Sequence, residues 1–455
     1  MQFDSPEDLE RYIDEKNIRF FKMGVVDIDG VLRGKYINRS KFSSALRDGL
    51  GFCDVVMGWD SQDKLYERGG LTGWQTGYKD APVSLDLKSV RLLPGEDDTL
   101  FVLGNLGAQY DRACPRSLLS RISKKASELG YQVRASLEYE FFVFDESPES
   151  VRRKHYRNLV PLSPGMFGYS ILRNSVHSDL YRELLDAMTL LEAPIEGLHT
   201  ETGPGVMEAA LCHAPVCEAG DRAALFKTFT KVFMQQRGYM ATFMAKYSND
   251  YPGQSGHVHL SLEDEQGKNV FHSPNGSGAP LGAMSDTFRH FVAGQVQLLP
   301  QLLPMVCSTV NAYRRLVPGF WAPTHASWGI DNRTTAVRAI VGGPSSARSE
   351  YRLGPADANP YLVLSAALAS GLYGIEHQLE IPPVEGNAYE KVPPGTPRLA
   401  SSLGEATTLF HASQVARELF GDVFVDHFSM TRFWEEQEYQ KHVSDFELNR
   451  YFEVI

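Results

Sequence analysis

The sequence contains little cysteine, and its few cysteines form no pattern typical of a metal site or a disulfide framework. Among 455 residues there are five cysteines, none of them in a CxxC pair or at zinc-finger spacing. An odd number cannot pair completely, so a reducing, cytoplasmic location is the simplest expectation. The cysteines stand at positions 53, 114, 212, 217 and 307.

Long apolar runs are also missing. The most apolar stretch, Tyr361 to Ile375, covers about 15 residues, fewer than the roughly 18 that cross a bilayer. Ser365, Ser370 and Gly371 interrupt it, so we expect a buried helix and no membrane partner. The segment Met1 to Pro6 has no charged leader before an apolar core, and we therefore expect no secretory signal.

The chain has neither an excess of positive charge nor a P-loop. Its formal net charge is -11, with 43% hydrophobic and 22% charged residues, an ordinary composition for a globular protein. The negative balance argues against a nucleic-acid partner, which a basic surface would bind. The segment Gly30 to Tyr36 comes nearest to a P-loop, but its spacing is wrong and it lacks the Ser/Thr.

The length predicts two domains, because a single core rarely grows beyond roughly 250 to 300 residues. The first part shows a helical pattern followed by strands. Gly24 to Asp27 and Val31 to Ile37 are predicted to pair around an Asp29-Gly30 turn. We place the boundary near residue 108, which gives an N-terminal domain of residues 1–108 and a second domain of residues 109–455.

Beyond residue 108, strand-like and helical patterns alternate, which predicts an α+β fold. A Gly/Ser/Pro-rich loop is expected at Pro274 to Pro280. The predicted strands are Ala135 to Phe144, His257 to Leu262 and Ala347 to Leu353, and the predicted helices are Leu118 to Leu129, Ser178 to Leu191, Asp221 to Tyr239 and Ser285 to Leu299.

Two acids lie two residues apart on the first of these strands. Glu138 and Glu140 therefore point to the same face, among aromatic neighbours that screen their repulsion poorly. A divalent cation between them would explain the arrangement. The alternative, a solvated strand face, stays open because the pattern is common.

Two further segments carry possible metal ligands. Glu201 and Glu208 are separated by Gly203-Pro204-Gly205, which breaks any helix and lets the chain bring both acids together. His257 and His259 share one face of a strand that follows a glycine-rich loop, and such a loop permits close approach to a ligand.

Arginine gives the most specific signal. Between Arg314 and Arg352 there are six arginines and no lysine, and planar, bidentate binding of phosphate or carboxylate requires arginine. Arg348, Glu350 and Arg352 alternate on one strand face. Because most of the candidate ligands are carboxylates, they favour Mg²⁺ or Mn²⁺ over zinc, which would want more histidine or cysteine. Metal ligands together with arginines predict phosphoryl transfer.

These motifs resemble, in content and order, those of the type I glutamine synthetases over nearly the whole chain. The resemblance implies an α+β fold with a small N-terminal β-grasp domain and a large glutamine-synthetase-type catalytic domain, assembled into a homododecamer with sites between subunits. The matching segments are the strand with Glu138 and Glu140, the segment with Glu201 and Glu208, Gly256 to Ser261, Asn311 to Gly319, Asn332 to Arg338, and Arg348 to Tyr361.

By this resemblance, two or more divalent metals and ATP take part in the reaction. Glu140, Glu201 and Glu208 would hold one metal, and Glu138, His257 and Glu350 the other. The resemblance also implies that Arg315 binds the α-carboxylate of glutamate and that Arg352 contacts the transferred phosphoryl group or the γ-carboxylate. Arg333, Arg338 and Arg348 would lie along the nucleotide phosphates, and His259 and Ser261 would line the nucleotide site. ATP would convert the γ-carboxylate of glutamate into γ-glutamyl phosphate, from which an amine displaces phosphate.

Three positions depart from the family pattern. Trp321 stands where true glutamine synthetases carry the flap glutamate that helps to hold ammonium, and Met57 replaces an N-terminal aspartate. Indole attracts an alkylammonium by cation–π and apolar contact, so we predict a γ-glutamyl amide ligase that uses a small organic amine. Ser345 stands where many members carry lysine, and nothing in the sequence explains it.

Two alternatives remain. One is an ammonia-using glutamine synthetase, and the other is a non-catalytic structural homologue, against which the presence of all six predicted metal ligands argues. Tyr389 resembles the adenylylated tyrosine region of bacterial synthetases. We interpret it as an ordinary surface tyrosine and predict no modification.

Overall fold

The computed structural model describes residues 3–67, 69–273 and 280–455. Two β-sheets with flanking helices make up the described structure. The Gly/Ser/Pro-rich loop expected at Pro274 to Pro280 lies, up to residue 279, outside the described residues. No helix among the described residues is long and apolar enough to cross a membrane.

The first sheet is built from residues 20–106. Its strands follow the order β2-β1-β6-β4-β3, with β5 beside β6, and β1 runs parallel to β6. Two helices, α1 (Pro6–Glu15) and α2 (Arg39–Asp48), accompany it. Its strands are β1 (Phe20–Val26), β2 (Leu32–Ile37), β3 (Leu50–Cys53), β4 (Asp80–Leu85), β5 (Arg91–Leu93) and β6 (Glu96–Leu106).

The predicted hairpin is confirmed and joins this sheet to the rest of the chain. Strands β1 and β2 pair antiparallel around a turn in which Gly30 has φ +80°, a conformation that suits glycine. The side-chain amide of Asn359 donates to the Ile28 carbonyl over 3.1 Å. Arg432 pairs with Asp29 of the same turn.

The second sheet contains the strands predicted to carry chemistry. Its order is β13-β14-β15-β12-β7-β9-β8, and β10 and β11 also pair with β7. Its strands are β7 (Gln132–Phe144), β8 (Ile195–Thr200), β9 (Val206–Leu211), β10 (Ala214–Pro215), β11 (Met240–Thr242), β12 (Gly256–Glu263), β13 (Trp328–Ile330), β14 (Val337–Ile340) and β15 (Arg348–Tyr351).

The helices of this part cover one side of the sheet and extend beyond it. The helix predicted from Tyr361 to Ile375 is confirmed as α10, which is almost entirely buried. The helices are α3 (Pro115–Glu128), α4 (Pro148–Arg153), α5 (Ile171–Val176), α6 (Ser178–Leu190), α7 (Val216–Gln236), α8 (Asp286–Val306), α9 (Ala312–Arg315), α10 (Pro360–Glu376), α11 (Leu403–Ala412), α12 (Gln414–Phe420), α13 (Asp422–Gln440) and α14 (Asp445–Tyr451).

Helix α7 determines which face of the second sheet is closed. Tyr139 and Phe141 of β7 are buried, and their rings contact Phe226 of α7 with centroids about 6 Å apart. Because side chains alternate along a strand, Glu138 and Glu140 point to the opposite face, which is only partly buried. The site is on that open face.

Candidate active site

The hairpin formed by β8 and β9 brings together one group of acids. Its register pairs His199 with Glu208 across a turn that contains Gly203-Pro204-Gly205, as expected from the predicted chain break. His199 Nε2 lies 3.4 Å from Glu208 Oε1, and His199 Nδ1 lies 4.0 Å from Glu201 Oε2. These three side chains have ligand atoms close enough to share one metal ion.

Glu140 borders this group from the next strand. It pairs directly with Glu208 in the β7–β9 ladder, and its Oε2 accepts a hydrogen bond from the Ser255 amide at 2.7 Å. Burial raises the pKa of Glu140 to about 7, although Arg315 opposes the shift. Glu140 therefore faces the same group, but the hydrogen bond from the Ser255 amide holds its carboxylate toward the start of β12.

The electrostatics of the group favour a cation. Burial raises the pKa of Glu208 to about 8; the hydrogen bond with His199 opposes the rise, while the charges of Glu138 and Glu140 add to it. Buried carboxylates that repel one another are stabilised by a divalent ion between them. The donor set therefore fits a metal, and the solvated-strand interpretation of Glu138 and Glu140 is wrong.

A second group lies on β7, β12 and β15. His257 Nδ1 is 3.2 Å from Glu138 Oε1 and 3.6 Å from Glu350 Oε1. His259 Nε2 is 3.6 Å from Glu138 Oε2, and Glu138, His259 and Glu350 also lie close enough to share an ion. Both histidines of the predicted pair therefore face the same two carboxylates.

Hydrogen bonding separates the roles of the two histidines. The Arg348 Nε donates to His259 Nδ1 at 3.2 Å, so His259 carries its proton on Nε2 and cannot ligate a metal through that atom. His257 is buried with its Nε2 unpartnered among the described residues, and burial, with Arg352, lowers its pKa. A neutral His257 fits a metal ligand, and His259 fits a hydrogen-bond donor.

The carboxylates of the second group stay charged. Burial opposes ionisation of Glu138, but hydrogen bonds from His257 and His259 hold its pKa well below the usual range. Burial also opposes ionisation of Glu350, and Arg352, the two histidines and Arg338 nevertheless lower its pKa to about 2. These anions would attract a divalent cation.

Arginines border this second group. Arg338 donates to Glu350 Oε2 and to Asp331 Oδ1, both at 2.9 Å, and Arg352 pairs with Glu350 Oε1. Arg333 is exposed, and its charge lowers the pKa of Tyr169, which burial and nearby acids raise more strongly. The structure thus places Arg338 and Arg352 against Glu350 and Arg348 against His259. The place of Arg333 at the site stays a prediction.

Arg315 is a buried arginine whose guanidinium hydrogen-bonds the residue that holds Glu140 and the backbone of Arg352. It is 2% exposed, and its guanidinium donates to the Leu353 carbonyl at 3.0 Å and to Ser255 Oγ at 2.8 Å. Ser255 in turn donates from its amide to Glu140. A Cβ added to Gly253 would lie 2.6 Å from Arg315 Cγ, so the glycine-rich loop approaches this arginine rather than open space.

The flap residue is exposed. Trp321 has 55% of its surface exposed and a φ of +59°, a left-handed conformation that is rare for a bulky residue. Phe320 beside it is 40% exposed, and Lys246 Nζ lies 5.2 Å from its ring centre. Lys246 also lines a groove of about 1000 Å³, together with Asn311 and several aromatic side chains.

Two other positions differ from the sequence-based expectations. Met57 is fully buried in the core of the first sheet, so it offers neither a charge nor a surface to an amine, and the effect on amine choice of losing an aspartate there stays a prediction. Ser261 follows His259 on the same face but pairs with Arg134 and belongs to neither acid group. Ser345 is exposed, and nothing in the structure explains it.

His199 is the candidate that sequence reasoning missed. A signal existed, because a tight turn at Gly203 to Gly205 places His199 directly opposite Glu208. Tyr169 was missed as well. Its ring lies 4.2 Å from the His199 ring, and no sequence spacing connects the two residues.

The chain belongs to the glutamine synthetase family. A family model described as the glutamine synthetase catalytic domain matches residues 112–451. The chain is 45% identical to a type-1 glutamine synthetase 2 of Dictyostelium discoideum, covering 96% of this chain and 84% of that protein. It is 37% identical to a glutamate–isopropylamine ligase of a Pseudomonas species, covering 98% and 97% of the two chains.

The fold is also that of a solved structure. A chain described as a GmaS/ADP complex superposes with a TM-score of 0.84 at 24% identity, covering 98% of this chain and 100% of that chain. At this identity the match shows the fold alone.

Proposed function

We propose that the protein is an ATP-dependent ligase that joins the γ-carboxylate of glutamate to a small organic amine. The observation that carries the proposal is the single sheet face on which two acid groups lie beside arginines, in a chain of this family. Acids on their own would bind a cation. Acids beside several arginines suit an ion bound to phosphate.

In this reaction the arginines bind and orient anions. A carboxylate is a poor electrophile because its leaving group would be oxide, so transfer of phosphate from ATP gives γ-glutamyl phosphate first. Arg352, buried next to Glu350, is suited to the transferred phosphoryl group, and Arg338 and Arg348 to the other phosphates. Two Mg²⁺ or Mn²⁺ ions would neutralise phosphate charge. One would be held by Glu201, Glu208 and either His199 or Glu140, and the other by Glu138, His257 and Glu350.

The choice of an organic amine rests on Trp321. An exposed indole at the flap provides an apolar surface and an aromatic face for an alkylammonium, where ammonium would require a carboxylate. The Pseudomonas relative is named for isopropylamine, which supports this choice. The Dictyostelium relative is named a glutamine synthetase, which keeps the ammonia-using enzyme as the second candidate.

The assembly and domain expectations belong to the same proposal. Residues 1–108 would form a β-grasp domain and residues 109–455 the catalytic domain, and the chains would form a homododecamer in the cytoplasm. Support comes from the separation of the two sheets along the chain and from family membership.

An amine panel tests the proposal. Phosphate release and amide product would be measured with glutamate, ATP, Mg²⁺ and either ammonia or alkylamines of increasing size, at fixed pH because the neutral amine reacts. We expect kcat/KM to rise with apolar size until the pocket is full, since each buried methylene contributes about 0.8 kcal/mol.

Variants of Trp321 test whether this residue determines the preference for an organic amine over ammonia. Trp321→Glu should raise the kcat/KM ratio of ammonia over the best amine, Trp321→Ala should weaken amine use without improving ammonia, and Trp321→Phe should keep the wild-type preference. If wild type already prefers ammonia, the protein is a glutamine synthetase. Absence of ADP release with every amine would instead support the non-catalytic homologue.

A further inference from the structure

The guanidinium of Arg315 is held by two segments of the chain, residues 254–256 and 353–357. It donates to Ser255 Oγ at 2.8 Å and to the Leu353 carbonyl at 3.0 Å. We call these two segments the Arg315 frame. Because a guanidinium binds a carboxylate through N–H groups of fixed geometry, the position of the frame determines how Arg315 can meet a substrate carboxylate.

The two segments of the Arg315 frame are bonded to each other. The Gly256 amide donates to the Gly354 carbonyl at 2.8 Å, and the Ala356 amide donates to the Gln254 carbonyl at 3.0 Å. A displacement of one segment therefore displaces the groups that the other segment holds.

The hydroxyl of Thr309 connects the frame to the helix that carries Arg315. It donates to Asp357 Oδ2, at the end of the frame, over 2.9 Å, and it accepts a hydrogen bond from the Ala312 amide over 3.1 Å. Ala312 is the first residue of α9, and Arg315 is the last. One hydroxyl thus links the start of the helix to the end of the frame.

The neighbouring contacts of the frame do not replace this link. Lys227 Nζ donates to the Ala358 carbonyl at 2.8 Å, which anchors the end of the frame to α7 and not to α9. Asp357 Oδ1 is buried and has no hydrogen-bond partner among the described residues. Without the Thr309 hydroxyl, the Asp357 carboxylate would lose the donor to its other oxygen, and it would move toward another donor together with its backbone.

We propose that Thr309 is a positioning residue for glutamate, whose hydroxyl holds α9 against the frame and so orients Arg315. The inference rests on the proposed function, which supplies the identity of the anion. Arg338 and Arg348, suited to the nucleotide phosphates, have hydrogen-bond partners outside the frame. Loss of the hydroxyl should therefore affect glutamate binding more than ATP binding.

Replacement of the hydroxyl by a methyl group tests this role. Thr309→Val keeps the shape of the side chain, so KM for glutamate should rise about tenfold or more, while kcat falls less than about threefold and KM for ATP stays within about twofold of wild type. Thr309→Ser retains the hydroxyl and should keep both KM values within about twofold of wild type. Thr407→Val is the matched control, because Thr407 is buried in α11 and its hydroxyl bonds the Leu403 carbonyl; it should keep wild-type kinetics.

Calorimetry and melting temperatures complete the test. At a temperature where each variant is folded, Thr309→Val should bind glutamate more weakly than wild type in the presence of ADP and Mg²⁺, and Thr309→Ser should not. Should Thr309→Val not fold, Thr309→Ala removes the hydroxyl without placing a methyl group against the Asp357 carboxylate, and the same result is expected.

Three outcomes would overturn this inference and leave the proposed function intact. They are an unchanged KM and affinity for glutamate, equal rises in KM for glutamate and ATP, and a Thr309→Ser variant that is as impaired as Thr309→Val. A wild type that neither binds nor uses glutamate would overturn the proposed function and this inference with it.

Discussion

At the scale of one residue, burial of the Glu208 carboxylate lowers the stability of the metal-free protein and favours binding of a metal ion. In the metal-free protein its pKa of about 8 exceeds the ordinary value of 4.5 because burial opposes its charge. Between these values the folded state binds more protons than the unfolded state, so the free energy of unfolding falls as pH rises through that window. A bound divalent ion would reverse this cost.

We predict that Glu208→Gln lowers turnover at least hundredfold, a loss of about 2.7 kcal/mol in barrier height. The same change should raise the melting temperature of chelator-treated protein near pH 8, because the neutral amide removes the repulsion. Calorimetry and phosphate release measure the two effects. Glu263→Gln, farther along β12 and near Arg134, should change neither, and turnover within tenfold of wild type would exclude Glu208 as a metal ligand.

Spacing along a strand sufficed to predict that Glu138 and Glu140 share one face and that His257 and His259 do, because side chains alternate along a strand. The wider set of acids and arginines came from the family resemblance, and His199 was missed. The division of labour between His257 and His259 came from the family resemblance alone, because strand spacing places both histidines on one face and gives them no separate roles. It depends on the hydrogen bond from Arg348 to His259, which forms only when β15 pairs with β12.

At the scale of elements, the end of helix α8 was predicted wrongly from the local sequence pattern. The prediction ended this helix at Leu299, yet the helix continues to Val306 through Pro300 and Pro304. Proline removes a hydrogen bond and strains the preceding turn. Leu302, Leu303 and Met305 are buried in the core, so packing offsets that loss, and packing is not visible in local sequence.

The loop before β12 gives a prediction at the same scale. A Cβ at Gly253 would lie 2.6 Å from both the Ala245 carbonyl oxygen and Arg315 Cγ. Because the backbone oxygen cannot give way, we expect Gly253→Ala to displace Arg315 and raise KM for glutamate about tenfold or more, with KM for ATP less affected.

Steady-state kinetics with each substrate varied in turn would measure this difference. Gly343→Ala is the control, since a Cβ there meets nothing within 4 Å, and it should behave as wild type. Equal increases in both KM values would show that the loop supports the whole site rather than Arg315.

At the scale of the molecule, the apolar surface around α5 gives the assembly proposal its test. Helix α5 has no buried residue, and Phe167, Ile171, Leu172 and Val176 are 55% to 74% exposed. We call these four residues the α5 patch. Several large apolar side chains exposed within ten residues of one another are typical of an interface. Tyr169, between them in sequence, contacts His199, so the patch adjoins the first acid group.

We therefore predict that the protein has the mass of twelve 50.8 kDa chains in light scattering, and that Ile171→Lys with Leu172→Lys reduces both mass and turnover. Lysine in a closed interface buries an unpaired charge, and loss of the neighbouring subunit would free Tyr169 from its position on His199. Leu409→Lys, an exposed leucine of α11, should keep full mass and turnover. A double variant that retains wild-type mass would show that the α5 patch is not the interface, and one that dissociates yet keeps full turnover would show that each site is complete within one chain.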